Sequence, residues 1–291
     1  MANESVSLKD RIMNVVFILA TAVSIVAVLL ICFFVFSTAI PTIAKIGFKE
    51  FIFGSVWKPS QDIYGILPMI VGSLYVTLGA TVIGVPIGVL AAVYMVYYCP
   101  DSLKRFFQAG INLLAGIPSI VYGLWALEVI VPLIRDLSGG FGLSIGAAMI
   151  LLGVMILPTV ISLSQSAIAS VPRHFYEGAI GLGATKERAI FTVVIPAASS
   201  GILSSIIMGI GRAIGETMAV QMVIGNSPLF PEGIFKMGRT LTTNITTEMA
   251  YAGGLHREAL IATGAVLFVF ILVINLAFNL TKRKSKGKGG E

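Results

Sequence analysis

Charge is what this sequence has least of. Asp, Glu, Lys and Arg make up 12% of its 291 residues, where a soluble domain carries about 25%. With 56% hydrophobic residues and a mean hydropathy of +0.94, the chain lacks the polar surface needed to stay dispersed in water. A soluble enzyme, a disordered chain and a nucleic-acid-binding domain are excluded. Cysteine is nearly absent: Cys32 and Cys99 each lie within an apolar run, so no disulfide framework is expected. The histidines, His174 and His256, are far apart, and no Cys/His cluster has metal-ligand spacing. No Ala-x-Ala cleavage signal follows the first apolar run, which is therefore expected to stay as a helix.

Nucleotide-binding motifs are missing as well. Gly178-Ala-Ile-Gly-Leu-Gly183 has the outer glycine spacing of a phosphate loop, but Ala184-Thr185 stands where Lys-Ser/Thr is needed. Gly209-Ile-Gly211 is followed by Ile214 where a dinucleotide fingerprint requires glycine. If the protein is an energised pump, the energy arrives on another polypeptide.

What the chain has is long apolar runs. A membrane-spanning helix needs about 20 apolar residues. The spans expected on that ground are Val15–Ile40, Ile70–Tyr98, Ile117–Ile134, Leu143–Ile168, Ala197–Ile224 and Ala259–Leu280. Pro86 and Pro158 fall inside the second and fourth. Asp101–Gly116 is amphipathic, with Lys104 and Arg105 at its start, and is expected at the membrane surface. Val171–Ile195 mixes charge with helical apolar spacing, and two short helices broken near Gly181-Leu182-Gly183 fit it. Polar connections run from Pro41 to Asp62 and from Asn226 to Glu258, and Arg135–Gly142 is a short loop.

The positive-inside rule orients these spans. With the N-terminus in the cytoplasm, the inner segments hold Lys9, Arg11, Lys104, Arg105, Arg173, Lys186, Arg188 and the tail residues Lys282, Arg283, Lys284, Lys286 and Lys288, twelve in all. The outer segments hold seven: Lys45, Lys49, Lys58, Arg135, Lys236, Arg239 and Arg257. Both termini are therefore expected inside.

Arg212 remains, within the fifth span, with Glu216 four residues on. On one continuous helix they share a face. Either charge costs about 2.5–3.5 kcal/mol at the bilayer centre, so it must pair or face a cavity. The pair could merely neutralise itself. Alternatively Arg212 is a cationic site on an anion path, held by Glu216, since a planar guanidinium suits bidentate contact with an oxyanion. Gly211, Gly215 and Ala219 form one row of small residues, and Gly201, Ser205, Gly209 and Ala213 another. Such rows admit close helix packing, within this chain or against a partner. Glu128, inside the third span, needs a partner or a place near the outer end from which to snorkel. The sequon Asn244-Ile245-Thr246 is discounted because the motif is frequent by chance.

Glu177-Gly178-Ala179, Gly183 and Val193-Val194-Ile195-Pro196 resemble the EAA motif of ABC-importer permeases, with Gly178 in place of the first alanine. Gly209-Ile-Gly-Arg-Ala-Ile-Gly-Glu-Thr-Met-Ala-Val220 and Val223-Ile-Gly-Asn226 resemble the permeases of phosphate-specific importers, the PstC type rather than the PstA type. Leu113-Leu-Ala-Gly-Ile-Pro-Ser-Ile-Val-Tyr-Gly123, Glu177–Thr185 and Leu157-Pro158 support the match, which covers Ile66 to Leu280. Glu128 has no place in the family pattern.

The resemblance implies an all-α integral membrane protein with six transmembrane helices and the type I ABC importer permease fold. Residues 1–65 would be the N-terminal tail, first helix and external connection. Residues 66–280 would be the transmembrane domain, with a coupling segment at 171–196, and residues 281–291 a basic cytoplasmic tail. It implies inorganic phosphate as cargo, with Arg212, Glu216 and Thr217 on the substrate path. Glu177, Gly178, Ala179, Gly183 and Ala184 would couple to an ATPase, and Gly211, Gly215 and Ala219 would pack against a second permease. The implied partners are a PstA-type permease, two PstB-type ATPase subunits carrying ATP and Mg, and a PstS-type phosphate-binding protein docking on Pro41–Asp62 and Asn226–Glu258. The chain itself would hold no cofactor and catalyse nothing. Active transport fits an anion, because an inside-negative potential opposes its entry by about 2.3 kcal/mol per charge per 100 mV. Another oxyanion (molybdate, tungstate or sulfate) is the nearest alternative cargo. A passive or proton-coupled carrier relaying protons through Glu216 or Glu128 is the alternative machine.

Overall fold

The computed structural model describes residues 8–287. Among them the regular structure is helical apart from a two-residue-per-strand antiparallel hairpin, β1 (Trp57–Lys58) and β2 (Ile63–Tyr64). Five helical runs are each long and apolar enough to cross a membrane, and a pair bent by 98° makes a sixth when its two halves are taken as one span. In chain order the crossings are α1 (Leu8–Ile46), α3 (Leu67–Tyr97), the pair α4 (Asp101–Gly116) and α5 (Ser119–Ser138), α6 (Ile145–Ala169), the run from α8 (Lys186–Ala189) into α9 (Ile195–Gly215), and α12 (Gly254–Gly287). Short helices fill the connections: α2 (Phe48–Phe53), α7 (Arg173–Gly181), α10 (Met218–Val223) and α11 (Leu241–Glu248).

Several boundaries differ from expectation. Pro41 lies inside α1, which runs on to Ile46, so the first connection begins at Gly47. A proline so near a helix end removes one backbone hydrogen bond without ending the helix. α5 extends to Ser138 and stops where Gly139 turns left-handed at φ 67°, so the expected loop starts four residues late. Glu128 is thereby at the midpoint of α5, on an exposed face with Leu124 and Trp125, and not near the outer end. The fifth span is broken, since α9 ends at Gly215 and α10 begins at Met218. Residues 1–7 and Lys288 lie outside the described residues, and the other basic tail positions fall on the last turns of α12.

α3 and α6 form the spine. They approach through small residues: a Cβ added at Gly84 would lie 2.6 Å from the Gly153 carbonyl oxygen. Without a hydrophobic drive between helices in lipid, this close packing supplies the association energy. Three apolar cores are strung along this spine. The inner one joins Ala92, Val93, Ile168, Ile190 and Val194. The middle one joins Val76, Ala80, Leu151, Ile156 and Val223. The outer one joins Phe51, Trp57, Tyr64, Met69, Leu241 and Leu260. The outer half of α1 packs on the bundle, where Phe36 meets Phe268 edge-on at 5.8 Å.

Candidate substrate path and coupling segment

Arg212 sits in the last turn of α9 and is exposed on the surface of the chain. Glu216 takes extended backbone angles, φ −67° and ψ 132°, directly after the helix. The two residues therefore do not share a helix face, and no ion pair joins them among the described residues. The helix break is the physical reason: it hands the Glu216 side chain a different partner. Its Oε1 accepts from the Ala219 N–H at 3.3 Å and satisfies one of the free donors at the start of α10. Thr217 donates to the Gly215 carbonyl at 3.1 Å. Tyr122 lies in the first turn of α5 and is buried. Tyr122 itself donates to the Leu114 carbonyl at 2.8 Å across the 98° bend between α4 and α5.

The two small-residue rows have different fates. Gly201, Ser205, Gly209 and Ala213 pack within the chain, against α6. A Cβ at Gly201 would stand 2.4 Å from the Ala167 Cβ, and Ser205 hydrogen-bonds Ser164 at 2.7 Å. Gly211 and Gly215 instead have no neighbouring atom within 4 Å of an added Cβ. Ala219 does not continue their row; beyond the break it is fully buried against Gly123 of α5. Gly211, Arg212 and Gly215 thus belong to a side of α9 that the described residues leave open.

At the far end of the run that carries Arg212, α7 is a short helix as expected, but α8 is no separate second one: it is the first turn of the fifth crossing, which starts at Lys186 rather than at Ala197. Gly183 takes φ 87°, a left-handed angle that costs a side-chain-bearing residue about 1–2 kcal/mol. There it donates to the Ile180 carbonyl at 2.9 Å, while Ala184 donates to the Ala179 carbonyl at 3.0 Å, closing the helix end. Thr185 then caps α8 by accepting from the Arg188 N–H at 3.3 Å. Glu177, Gly178 and Gly183 are exposed, Ala179 and Ala184 half-buried, and Leu182 at the turn is 92% exposed. The segment is anchored to α3 by contacts that no local sequence pattern announces. Lys186 donates to the Tyr97 carbonyl at 2.7 Å and lies 4.2 Å from the Tyr98 ring centroid, and Tyr176 meets Tyr97 at 5.3 Å. Through a π-helical turn at Ile190–Val194, α8 runs on into α9. One near-continuous rod thereby links the coupling segment to Arg212.

A second polar cluster also escaped the sequence reading. Glu248 and Arg239, each with 8% of the side chain exposed, form an ion pair under the outer surface. The carboxylate also accepts from Trp57 Nε1 at 2.9 Å and is bonded to His256 Nε2 at 2.8 Å. Burial opposes the Glu248 charge, and the donors Trp57, Arg239 and His256 with the Arg239 charge outweigh it, holding the carboxyl below its usual range. Tyr64, close by, is pushed up to about 12 by burial and by its bond to the Asp62 carboxylate. The available signal was Thr240-x-x-Thr243, which forms a capping box at the start of α11. It makes a buried helix of what looked like plain connection. Asn244, of the sequon, is fully buried there.

Comparison with known proteins agrees with this arrangement. The family described as binding-protein-dependent transport system inner membrane component matches residues 84–286. The probable ABC transporter permease protein YqgH of Bacillus subtilis is 41% identical over 242 residues, covering 81% of this chain and 78% of that protein. The phosphate transport system permease protein PstC of Haemophilus influenzae is 34% identical over 262 residues, 82% of this chain and 83% of its own. The probable PstC of Methanocaldococcus jannaschii is 34% identical over 273 residues, 85% of each chain. Among solved structures, the inward-facing MetNI methionine ABC transporter superposes with a TM-score of 0.63 at 19% identity, over 79% of this chain and 99% of that one. A bacterial ABC transporter that imports alginate gives 0.65 at 16% identity, over 91% and 95%. These two share the fold. The chain belongs to the binding-protein-dependent transport system inner membrane components, as a multi-pass, non-catalytic permease subunit of an ABC transporter.

Proposed function

We propose that this permease passes inorganic phosphate inward, as the PstC-type half of an ATP-driven importer. The observation that carries the reading is the exposed Arg212 at the end of α9, beside the Glu216-Thr217 break. A guanidinium without a carboxylate partner among the described residues of its own chain is too costly to face acyl chains. It belongs on a wall that looks into a water-filled passage, where it offers two parallel N–H donors to a tetrahedral oxyanion. Because Glu216 is engaged in capping α10, the Arg212 charge is free to attract the anion. The names of the relatives from Haemophilus influenzae and Methanocaldococcus jannaschii support phosphate over other oxyanions.

The uncovered Gly211 and Gly215 admit a second permease of PstA type across the same passage. ATP and Mg would be held by two PstB-type subunits seated on Glu177, Gly178, Ala179, Gly183 and Ala184, with no cofactor on this chain. A PstS-type protein would deliver phosphate from outside. The rod from α8 to α9 gives a movement of the coupling segment a direct route to Arg212. Competition tests the cargo: uptake of labelled phosphate by the reconstituted complex should resist excess molybdate, tungstate or sulfate. Displacement of phosphate by one of these would reassign the permease to that anion.

A further inference from the structure

The Arg239–Glu248 pair joins parts of the chain that are distant in sequence, and neither the path nor the coupling segment accounts for it. Both Glu248 oxygens are used: Oε1 by Arg239, Oε2 by Trp57 of the outer hairpin and His256 of α12. Arg239 spends its remaining donors on the chain beyond α10. Nε and Nη2 bond the Asn226 carbonyl at 2.9 and 2.7 Å, and Nη1 also bonds Asn244 Oδ1 at 2.9 Å. A buried ion pair is weak evidence for stabilisation, because apolar residues of similar volume commonly serve as well. Its geometry here serves placement. Asn226 Nδ2 donates back to the Gln221 carbonyl at 2.7 Å, fixing the end of α10. At the other end, Thr242 of α11 donates to the Glu216 carbonyl at 3.1 Å. The segment from Glu216 to Asn226 is thus held at both ends by the Arg239–α11 unit. That unit is in turn locked by Glu248 to Trp57.

We propose that Glu248 is a positioning residue: through Arg239 and α11 it sets the seat of α10 and of the Glu216-Thr217 break, and through Trp57 it makes that seat depend on the outer hairpin. The role presupposes that the break lines the substrate path. A partner that docks outside and shifts the hairpin would thereby reach the path without touching it.

The test uses Met218→Cys, at the half-exposed start of α10, with Cys32 and Cys99 replaced by alanine. The full complex in nanodiscs is labelled with a small charged methanethiosulfonate. Trp57→Phe removes the Nε1–H together with one ring of the buried indole, but it keeps an aromatic side chain in the outer core and leaves the Arg239–Glu248 pair intact, which Glu248→Gln breaks. One lost hydrogen bond corresponds to about a two- to tenfold change in an equilibrium. The Met218→Cys labelling rate should change by that factor in Trp57→Phe, and at least as much in Glu248→Gln, with Gly140→Cys in the outer loop unaffected. Unchanged rates at Met218→Cys, or equal changes at Gly140→Cys, would overturn the positioning role. Absence of labelling in every background would remove the open path it needs. Labelling does not involve the cargo, so the phosphate reading fails separately, on uptake.

Discussion

Glu216 follows Arg212 by four residues, and α9 ends between them. The carboxylate caps α10 through the Ala219 N–H, which leaves the guanidinium without an acidic partner in its own chain among the described residues. Stability and transport should therefore separate. Arg212→Gln and Glu216→Gln should each change stability by no more than about 0.5 kcal/mol, since the amide of the second retains an acceptor oxygen. Glu216→Ala should cost about 0.5–2 kcal/mol through the lost cap. Thermal unfolding of the purified complex checks the order. Collapse of the fold in Arg212→Gln would restore the self-neutralising ion pair.

The small-residue rows predict opposite outcomes for similar changes. A side chain at Gly201 meets Ala167, and Gly201→Val should cost about 1–3 kcal/mol by overpacking. A Cβ added at Gly211 meets nothing within 4 Å among the described residues, so Gly211→Leu should leave the fold intact and weaken co-purification with the second permease. Co-purification unaffected by Gly211→Leu would place that face against lipid.

Acid should act through Glu248. Its folded carboxyl titrates below its ordinary 4.5, so the unfolded chain takes up the proton first. The stabilisation is complete above that ordinary value and is lost as pH falls through the lower folded one. The charged and titratable neighbours are Arg239, His256 and Tyr251. Glu248→Gln leaves the Arg239 guanidinium buried without a counter-charge, at a cost of about 3–5 kcal/mol. The difference in melting temperature between wild type and Glu248→Gln should be wide at neutral pH and narrow on strong acidification. A pH-independent difference would contradict the assignment of the charge.

Gly183 holds the turn of the coupling segment at φ 87°. Gly183→Val should strain that turn by about 1–2 kcal/mol and lower uptake more than ATP hydrolysis. Proportional loss of both would indicate that the segment merely supports the fold.

Much of this architecture is legible in the sequence, for a physical reason. Apolar run length fixes the crossings, and glycine spacing marks the turn at Gly183, because the bilayer and the left-handed angle leave few alternatives. Glu177, Gly178, Ala179 and Gly183 fall on α7 and its turn, while Val193-Val194-Ile195-Pro196 lie on the π-helical turn and the start of α9. Hydropathy cannot see the break after Gly215, since Met218–Val223 is as apolar as the helix it interrupts. That break undid the expected pairing of Arg212 with Glu216. Nor can hydropathy see that Thr240, Thr242, Thr243, Asn244 and Glu248, all polar, are buried. The burial of α11 rests on hydrogen bonds to Arg239, Ser73 and Trp57, which no local pattern announces.

The most direct measurement is phosphate uptake by proteoliposomes holding the full complex, wild type against Arg212→Gln, with ATP hydrolysis recorded in parallel. Uptake should fall by about tenfold or more, the equivalent of about 1.4 kcal/mol at the path, while hydrolysis persists. Unchanged uptake would make Arg212 a structural charge and move the anion path elsewhere in the bundle.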